Sequence, residues 1–223
     1  MTEARGAAAR AAVELVEPGM TIGLGSGRAL WKALELLAER GEPVRCVVAS
    51  SRTDELARQA GFTVLALDGT VELDLALDGA DEVDPSLGLI KGGGGALLRE
   101  KIVISAARRF AVVAEASKKV ARLGEGFRLP VEVVRFGWQD TRRRLAPLLP
   151  DAEQRLREDG EAYLTDEGHF ILDCAVPPSG DVAELGRAIK QIPGVVEHGL
   201  FIGMATDALL GNPDGSVETL TAR

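Results

Sequence analysis

Aromatic residues make up only 4% of this 223-residue chain, and cysteine and histidine occur twice each. A hydrophobic core must therefore be built mainly from leucine, valine, isoleucine and alanine. Two cysteines cannot form the disulfide framework that small secreted domains use. Because Cys46 and Cys174 both lie in apolar, strand-like stretches, we expect buried thiols in a cytoplasmic protein.

Long apolar runs are missing as well, and none approaches the roughly 18 residues of a membrane span. The N-terminus lacks the basic-then-apolar order of a signal peptide. A formal net charge of −8 argues against nucleic acid or an anionic membrane as partner. Small anionic substrates remain open, because screening over about 8 Å lets a few local cations outweigh distant charge.

The apolar pattern of the first half predicts strands that alternate with helices. This order is typical of an α/β fold with a mainly parallel, Rossmann-like sheet. An alanine-rich helix is expected at 2–16. The expected strands are 20–24, 44–49, 62–67, 71–77 and 110–114, and the expected helices are 30–37, 53–60 and 95–109. Loops that begin at Gly23, Ser50, Asp78 and Glu115 then share the carboxyl edge of the sheet, where such folds bind ligands.

The pattern changes near residue 127. Strands are expected at 131–135, 161–165, 169–175 and 195–199, and helices at 139–149 and 181–191. The resulting β-α-β-β-α-β order predicts a smaller, ferredoxin-like α+β domain. We therefore expect a Rossmann-like domain from residues 1–126 plus 200–223 and a ferredoxin-like domain from residues 127–199.

Residues 78–100 contain the most informative block, in which acids, a lysine and four consecutive glycines follow an expected strand. Glycine backbone N–H groups can approach an anion closely, while carboxylates and lysine supply proton transfer and charge stabilisation. Glycine-rich loops with aspartate are often plain turns, yet four glycines are costly to order for a turn alone. We favour a site that includes Asp78, Asp81, Lys91 and Glu100, and treat Asp84 before Pro85 as an ordinary turn residue.

Glu100 is expected in the second turn of a helix, with the ordinary glutamate pKa near ~4.3, so that it is ionised at pH 7 and can act as a base. The alternative is a solvated helix charge, which is the role we expect for its neighbours Arg99 and Lys101. No histidine lies near these acids, which argues against a metal site. His169 and His198 are expected to be surface or packing residues.

Two further loops at the same edge could bind an anion. Gly23 to Arg28 joins a strand to a helix N-terminus, where backbone N–H groups and the helix dipole favour phosphate. Arginine at position 28 departs from the dinucleotide fingerprint, so a nicotinamide cofactor is disfavoured, and a plain strand–helix turn stays possible. Past Glu115, Lys118 or Lys119 could point at a ligand, and Ser50 could begin a helix with a spare hydroxyl.

Taken together, these motifs resemble the A-type ribose-5-phosphate isomerases over essentially the whole chain. The resemblance rests on Asp78-Gly-Ala-Asp81-Glu, Lys91-Gly-Gly-Gly94 with Arg99-Glu100-Lys101, Ala116-Ser-Lys118, Leu129-Pro-Val-Glu-Val, and Ile192-Pro-Gly-Val-Val with Gly199-Leu-Phe. One departure is the phosphate loop. The family's usual Gly-Thr-Gly-Ser-Thr reads Gly25-Ser26-Gly27-Arg28-Ala29 here, so two hydroxyls are lost and a guanidinium is gained.

The resemblance implies an aldose-ketose isomerase that interconverts ribose 5-phosphate and ribulose 5-phosphate through a cis-enediolate, in the non-oxidative pentose phosphate pathway. It implies no metal or organic cofactor and a homodimer. Glu100 would be the base and Lys91 an oxyanion donor. Asp81 would assist ring opening and Asp78 would bind sugar hydroxyls, although the division between the two acids stays open. The implied substrate-binding residues are Ser26, Gly27, Arg28, Ala29, Asp78, Gly79, Ala80, Asp81, Lys91, Gly92, Gly93, Gly94 and Lys118.

Two other function classes remain at this stage. A sugar-phosphate-binding regulator could share the fold, but it would need a DNA-binding helical module for which the N-terminal helix leaves no room. An amino-sugar-phosphate isomerase or a CoA transferase is the enzymatic alternative.

Overall fold

The computed structural model describes residues 2–222. Its helices are α1 (Thr2–Val13), α2 (Arg28–Glu39), α3 (Ser51–Gln59), α4 (Leu97–Ser105), α5 (Trp138–Leu145) and α6 (Val182–Lys190). Its strands are β1 (Thr21–Leu24), β2 (Arg45–Val48), β3 (Thr63–Val64), β4 (Leu75–Asp78), β5 (Glu82–Val83), β6 (Leu89–Ile90), β7 (Phe110–Glu115), β8 (Leu129–Val133), β9 (Glu153–Gln154), β10 (Phe170–Cys174), β11 (Val195–His198), β12 (Leu200–Phe201), β13 (Asp207–Gly211) and β14 (Val217–Thr221).

A seven-stranded sheet with the order β14-β13-β7-β4-β1-β2-β3 forms the centre of the larger unit. All its pairings are parallel except that of β13 with β14. The alanine-rich face of α1 packs with α2 on one side of this sheet, and α4 packs on the other. The expected α/β fold class and the aliphatic core are confirmed.

The strand expected at 71–77 is shorter than its alternating pattern suggested. Only Leu75–Asp78 forms the continuous strand β4, while Leu73 makes one isolated bridge to Ala107. All four residues of β4 are buried, because a central parallel strand is covered on both faces. Asp78 nevertheless lies at the carboxyl end of the strand, where it was expected.

The smaller unit has a four-stranded antiparallel sheet with the order β11-β8-β10-β9. With α5 and α6 it follows the expected β-α-β-β-α-β order, which confirms the ferredoxin-like α+β class. The strand expected at 161–165 is wrong. Its place beside β10 is taken by β9 (Glu153–Gln154), because residues 161–165 make only isolated hydrogen bonds and one bridge, Leu156 to Ala162.

A third sheet, β12-β6-β5, was not expected, since strands of two residues are too short to leave a periodic pattern. Its strands β5 and β6 lie inside the acid-and-glycine block of residues 78–100, and β12 comes from the end of the smaller unit. The turn between β5 and β6 is held by Asp84, which accepts hydrogen bonds from Ser86 and Gly88 as an ordinary turn residue. Lys91 follows β6 directly and its N–H donates to the Gly199 carbonyl, so this sheet sets the start of the glycine loop.

Several helix ends also differ from expectation. Helix α1 ends at Val13, and residues 15 and 16 continue it only through hydrogen bonds to the third residue before them. Helix α4 begins at Leu97, because Gly95 has a φ of +84°, outside the helical region. The division of the chain at residues 127 and 200 stays a prediction. The large sheet draws its strands from 21–115 and 207–221, and the four-stranded sheet from 129–198.

Candidate active site

A cavity of about 280 Å³ opens at the carboxyl edge of the large sheet. The structure brings twelve of the thirteen expected substrate-binding residues into its wall, together with Glu100. Asp78 is the exception. The wall also contains five residues that were not among the expected substrate-binding or catalytic residues: Arg5, Trp31, Val113, Ala114 and Glu115.

At the floor of the cavity, the ammonium group of Lys91 lies between two carboxylates. Its Nζ is 2.8 Å from Asp78 Oδ2 and 3.2 Å from Glu100 Oε2, and it donates a 2.6 Å hydrogen bond to the Gly79 carbonyl. Lys91 is 2% exposed, Glu100 5% and Asp78 0%. One buried cation thus faces two buried acids, and its single positive charge cannot balance two carboxylates.

Asp78 is held in place by the backbone of Ser26 and Gly79 rather than presented to the cavity. Its Oδ1 accepts hydrogen bonds from the N–H groups of Ser26 at 3.1 Å and Gly79 at 2.7 Å. A Cβ on Gly25 would lie 1.8 Å from the Asp78 carboxyl carbon, so only glycine allows this approach. The expectation that Asp78 binds sugar hydroxyls is therefore not supported; its oxygens are used to hold Lys91 and the loop.

Burial opposes the negative charge expected for Glu100. Removal from water, and then the nearby charge of Asp78, raises the pKa of Glu100 to about 8, despite the opposing effect of Lys91. Burial alone would lower the pKa of Lys91, but Asp78 and Glu100 outweigh it and keep that pKa above its usual value. The ammonium group therefore persists, while a pKa of about 8 leaves the Glu100 carboxyl mostly protonated at pH 7, contrary to the prediction from its reference pKa.

Asp81 is half-buried and lines the cavity. Its Oδ2 accepts a 2.8 Å hydrogen bond from the N–H of Gly93, so the glycine loop fixes this carboxylate. Asp81 thus meets the cavity while Asp78 lies behind it.

Residues 25–27 form a turn that leads into α2, and Ser26 and Gly27 of this turn line the cavity. Gly27 has a φ of +103°, a conformation that favours glycine, and Arg28 is the first, exposed residue of the helix. The Ser26 hydroxyl accepts a 3.1 Å hydrogen bond from the Ser50 hydroxyl, and Ser50 caps α3 by accepting from the Thr53 N–H. The glycine turn at residues 25–27, the Ser26 hydroxyl and the Ser50 hydroxyl therefore lie together at the N-terminus of α2, the kind of position that binds anions.

Cationic side chains also line the cavity. Lys118, in the 3-10 turn Ala116–Lys118 that follows β7, lines the cavity, while Lys119 pairs with Glu218 on the surface. Arg5 of α1 also lines it and forms a 2.6 Å ion pair with Glu115. Nothing in the local sequence marked Arg5, because α1 reaches the cavity only through its tertiary packing on the sheet.

Lys101 is not the solvated helix charge that was expected. It is largely buried, and its ammonium group donates to the Glu197 carboxylate and to the carbonyls of His198 and Leu200. It therefore ties α4 to the end of the smaller unit. Arg99 does reach the surface, where it pairs with Asp166 and Glu167.

The remaining titratable candidates are packing groups. His169 Nδ1 lies 2.9 Å from Glu132 Oε1, and burial lowers the pKa of His198 to about 4. Both thiols are buried, and burial raises the pKa of Cys46 and of Cys174 to about 12. Among residues 2–222, no group of three or more histidine, cysteine or acidic side chains is placed to hold a metal ion. None of the helices in that range is both long and apolar enough to cross a membrane.

Comparison with known proteins decides the family. The family model described as ribose 5-phosphate isomerase A (phosphoriboisomerase A) matches residues 45–215. The chain belongs to the ribose 5-phosphate isomerase A family. The expected resemblance, the enzyme class and the aldose-ketose isomerase activity are thereby confirmed.

Relatives and solved structures of this family match over nearly the full length. Ribose-5-phosphate isomerase A of Synechococcus sp. (strain JA-3-3Ab) is 49% identical over 98% of this chain and 96% of its own. The Chloroflexus aurantiacus enzyme is 48% identical over 99% and 95%. The structure of the Methanocaldococcus jannaschii enzyme superposes with a TM-score of 0.92 at 36% identity, covering 99% of both chains. A D-ribose-5-phosphate isomerase in complex with phospho-erythronic acid gives 0.93 at 33% identity, over 99% and 98%.

Proposed function

We propose that this cavity interconverts ribose 5-phosphate and ribulose 5-phosphate, with Glu100 as the base that moves a proton between C1 and C2. The observation that supports this role is the position of Glu100: a buried carboxylate in the cavity wall, 3.2 Å from the Lys91 ammonium. A base is most effective when its pKa lies near the working pH, and a pKa of about 8 meets that condition.

The chemistry needs one base because the two carbons are adjacent. The Glu100 carboxylate removes the C2 proton of the open-chain aldose, and the electron pair forms the C1–C2 double bond of a cis-enediolate while the C1 oxygen takes the negative charge. Returning the proton to C1 and moving a proton from the C2 hydroxyl to the C1 oxygen gives the ketose. Hydrogen moves only within the substrate and its hydroxyls, so the step is redox-neutral.

Lys91 and the glycine loop stabilise the charge that develops on oxygen. Lys91 remains an ammonium because Asp78 and Glu100 flank it, and Gly92, Gly93 and Gly94 line the cavity beside it. Fixed donors in a buried site need no reorganisation during the reaction. Asp78 then acts as a positioning residue, because it touches Lys91 rather than the cavity.

Asp81 is the group that we assign to ring opening. It lines the cavity, it is fixed by the Gly93 N–H, and it is the other acid of the acid-and-glycine block with access to a sugar hydroxyl. Together, Asp81, Lys91 and Glu100 form what we call the sugar end of the cavity.

The phosphate end of the cavity consists of Ser26, Gly27, Arg28 and Ala29 at the start of α2, with Lys118. A helix N-terminus, a hydroxyl and two cations suit a phosphate dianion. Arg28 and Ala29 replace the two hydroxyl residues usual in the family's loop, so here a guanidinium supplies the contact that hydroxyls would give.

The test is Glu100→Gln, a neutral side chain of the same shape. We expect turnover of ribose 5-phosphate to fall at least about a hundredfold, the low end for loss of a general base. Exchange of the C2 hydrogen with deuterated solvent, followed by NMR, should fall with it. Glu72→Gln, which alters an exposed glutamate paired with Arg108, is the matched control and should leave both rates unchanged. Near-normal exchange in Glu100→Gln would remove Glu100 from this role.

We also propose a cytoplasmic homodimer. Two buried free thiols suit a reducing compartment, and the family resemblance suggests the dimer. Light scattering on the purified protein during size-exclusion chromatography tests the assembly: a mass near twice 23.6 kDa supports it, and a mass near 23.6 kDa contradicts it.

A further inference from the structure

The glycine loop of the active site is held from behind by the smaller unit. Arg155, which follows β9, donates from Nη1 to the carbonyls of Gly92 at 2.9 Å and Gly93 at 3.1 Å. The Tyr163 hydroxyl donates to the carbonyl of Gly94 at 3.0 Å. Three consecutive carbonyls of a loop that lines the cavity are therefore bound by two side chains from outside the large sheet.

These two side chains are themselves fixed. Arg155 forms a two-point ion pair with Asp173 of β10, with Nε–Oδ2 at 2.9 Å and Nη2–Oδ1 at 2.5 Å. The planar guanidinium is thus held before it meets the loop. The Tyr163 ring lies 5.8 Å from the Arg155 guanidinium carbon, and its backbone N–H donates to the Arg155 carbonyl. We call Asp173, Arg155 and Tyr163 the loop clamp.

Four glycines in a row have a wide choice of backbone conformations. The clamp restricts that choice by binding three of the loop carbonyls. Each loop carbonyl shares a rigid peptide plane with the N–H of the next residue, so a hydrogen bond that fixes the carbonyl restricts that N–H as well. The N–H of Gly93 holds Asp81. The N–H of Gly94 has no hydrogen-bond partner within residues 2–222, so this donor is free for substrate oxygen. The loop also leads directly into α4, which carries Glu100.

The clamp also explains the packing around Gly95. A Cβ on Gly95 would lie 2.3 Å from the Tyr163 hydroxyl oxygen, so the tyrosine lies directly against the last glycine of the loop. Burial raises the pKa of Tyr163, which keeps its hydroxyl protonated as a donor.

We propose that Arg155 and Tyr163 are positioning residues for the isomerisation: they orient the glycine loop so that Asp81 and the loop N–H groups meet the reacting end of the sugar. The inference rests on the proposed function. It predicts a loss in the chemical step with little effect on phosphate capture, because neither residue belongs to the phosphate end.

The experiment compares Arg155→Met, Arg155→Lys and Tyr163→Phe with the wild-type enzyme. Misplaced groups cost up to about a hundredfold in rate, so we expect kcat to fall about tenfold to a hundredfold in Arg155→Met. Arg155→Lys keeps the positive charge but cannot form the fork with Asp173 while binding both carbonyls, so a similar loss is expected. Tyr163→Phe removes one hydrogen bond, and a threefold to tenfold loss, roughly the net value of such a bond, is expected. The KM for ribose 5-phosphate should stay within about twofold in all three.

Arg143→Met is the matched control. Arg143 lies on α5 of the same unit and pairs with Asp140, but makes no contact with the loop clamp or the glycine loop among the described hydrogen bonds. It should keep kcat within about twofold of wild type. Binding of phospho-erythronic acid, a phosphorylated sugar acid that carries a carboxylate in place of the reacting carbons, should weaken in the clamp variants in step with kcat, while inorganic phosphate should bind as in wild type. Thermal unfolding establishes that each variant is folded.

Wild-type turnover separates this inference from the proposed function. If the wild-type enzyme does not convert ribose 5-phosphate, the proposed function fails first. If it does, and folded Arg155→Met and Tyr163→Phe both keep kcat within about twofold, the positioning role is wrong. An equal loss of kcat in Arg143→Met would also overturn it, because the effect would then follow the loss of any arginine ion pair in the smaller unit.

Discussion

At the sugar end of the cavity two of the three ionisable groups are buried, and the third, Asp81, is half-buried, whereas at the phosphate end the cations reach solvent. Lys91 is 2% exposed and Glu100 5%, while Arg28 is exposed and Lys118 half-buried. The sugar end also has its partners in place, with Lys91 between two acids and Asp81 on a loop N–H. The phosphate end offers a helix N-terminus, a hydroxyl and long flexible cations.

The difference follows from what each end must do. A proton transfer needs a base with a shifted pKa and donors that do not reorganise, and only burial provides both. Capture of a dianion needs attraction over a distance, which exposed cations supply. Changes at the sugar end should therefore alter kcat and stability, and changes at the phosphate end should alter KM.

The largest expected effect comes from removing the cation of the buried end, in Lys91→Met. Two buried carboxylates then lack their partner, so we expect the free energy of unfolding to fall by about 3 kcal/mol at pH 8, in the range for a broken buried ion pair. Loss of the oxyanion donor should lower kcat on the order of a hundredfold to a thousandfold. Urea unfolding and initial rates measure the two effects.

The pH dependence of that stability loss gives a further check. Without Lys91 the pKa values of Asp78 and Glu100 must rise, so the variant loses stability as pH increases and recovers it only towards pH ~4, where the carboxyls are protonated in the unfolded state as well. Lys32→Met, at an exposed lysine paired with Glu35, should change neither stability nor rate. If Lys91→Met were as stable as wild type at pH 8, the Asp78 and Glu100 carboxyls would carry no net charge at that pH, contrary to this prediction.

The next effect is the pH profile of the wild-type enzyme. Because burial and Asp78 raise the pKa of Glu100 to about 8, the active carboxylate form grows as pH rises, so kcat/KM should increase between pH 6 and 8 and level off above pH 8 to 9. The same raised pKa means that the folded state binds this proton more tightly than the unfolded state. Its stabilising contribution is full below pH 4.5 and is lost as pH rises towards 8, by at most about 1.4 kcal/mol per pH unit.

Initial rates at saturating and limiting ribose 5-phosphate, taken from pH 5 to 10, measure this profile. Glu100→Gln should abolish the rise, and unfolding of that variant should lack this part of the pH dependence. A wild-type profile that is flat from pH 6 to 9 would show that Glu100 is ionised throughout, as its ordinary pKa implies.

How far the sequence predicts the molecule also differs between local and distant features. Glu100, Lys91 and Asp81 could be identified because they lie in one block beside four glycines, and the strand–helix alternation placed that block at a sheet edge. The two-residue strands β5 and β6 could not, since two residues have no period. The strand expected at 161–165 does not form. The backbone there makes only isolated hydrogen bonds, and the Tyr163 side chain packs against the glycine loop.

Features that depend on tertiary packing were missed for a physical reason. Arg5 lies about seventy residues from the acid block, and Arg155 lies in the other unit, so no local spacing links them to the site. The charge predicted for Glu100 was wrong because a pKa depends on burial and on neighbouring charges, and neither can be read from the sequence of a single helix. The prediction for Lys101 was wrong for the same reason: its spacing fits a surface position, yet its ammonium group is buried against Glu197.

The smallest expected effect is at the phosphate end, in Arg28→Ala. An exposed cation contributes little in water, about 1 kcal/mol or less, so we expect KM for ribose 5-phosphate to rise threefold to tenfold, with kcat unchanged. Lys119→Ala is the control, because Lys119 neighbours Lys118 but pairs with Glu218 on the surface; its KM should match wild type. Added salt should shrink the difference between Arg28→Ala and wild type, because screening weakens exposed charges most. An unchanged KM would mean that Arg28 is no phosphate ligand and that Ser26, the helix N-terminus and Lys118 bind the phosphate without it.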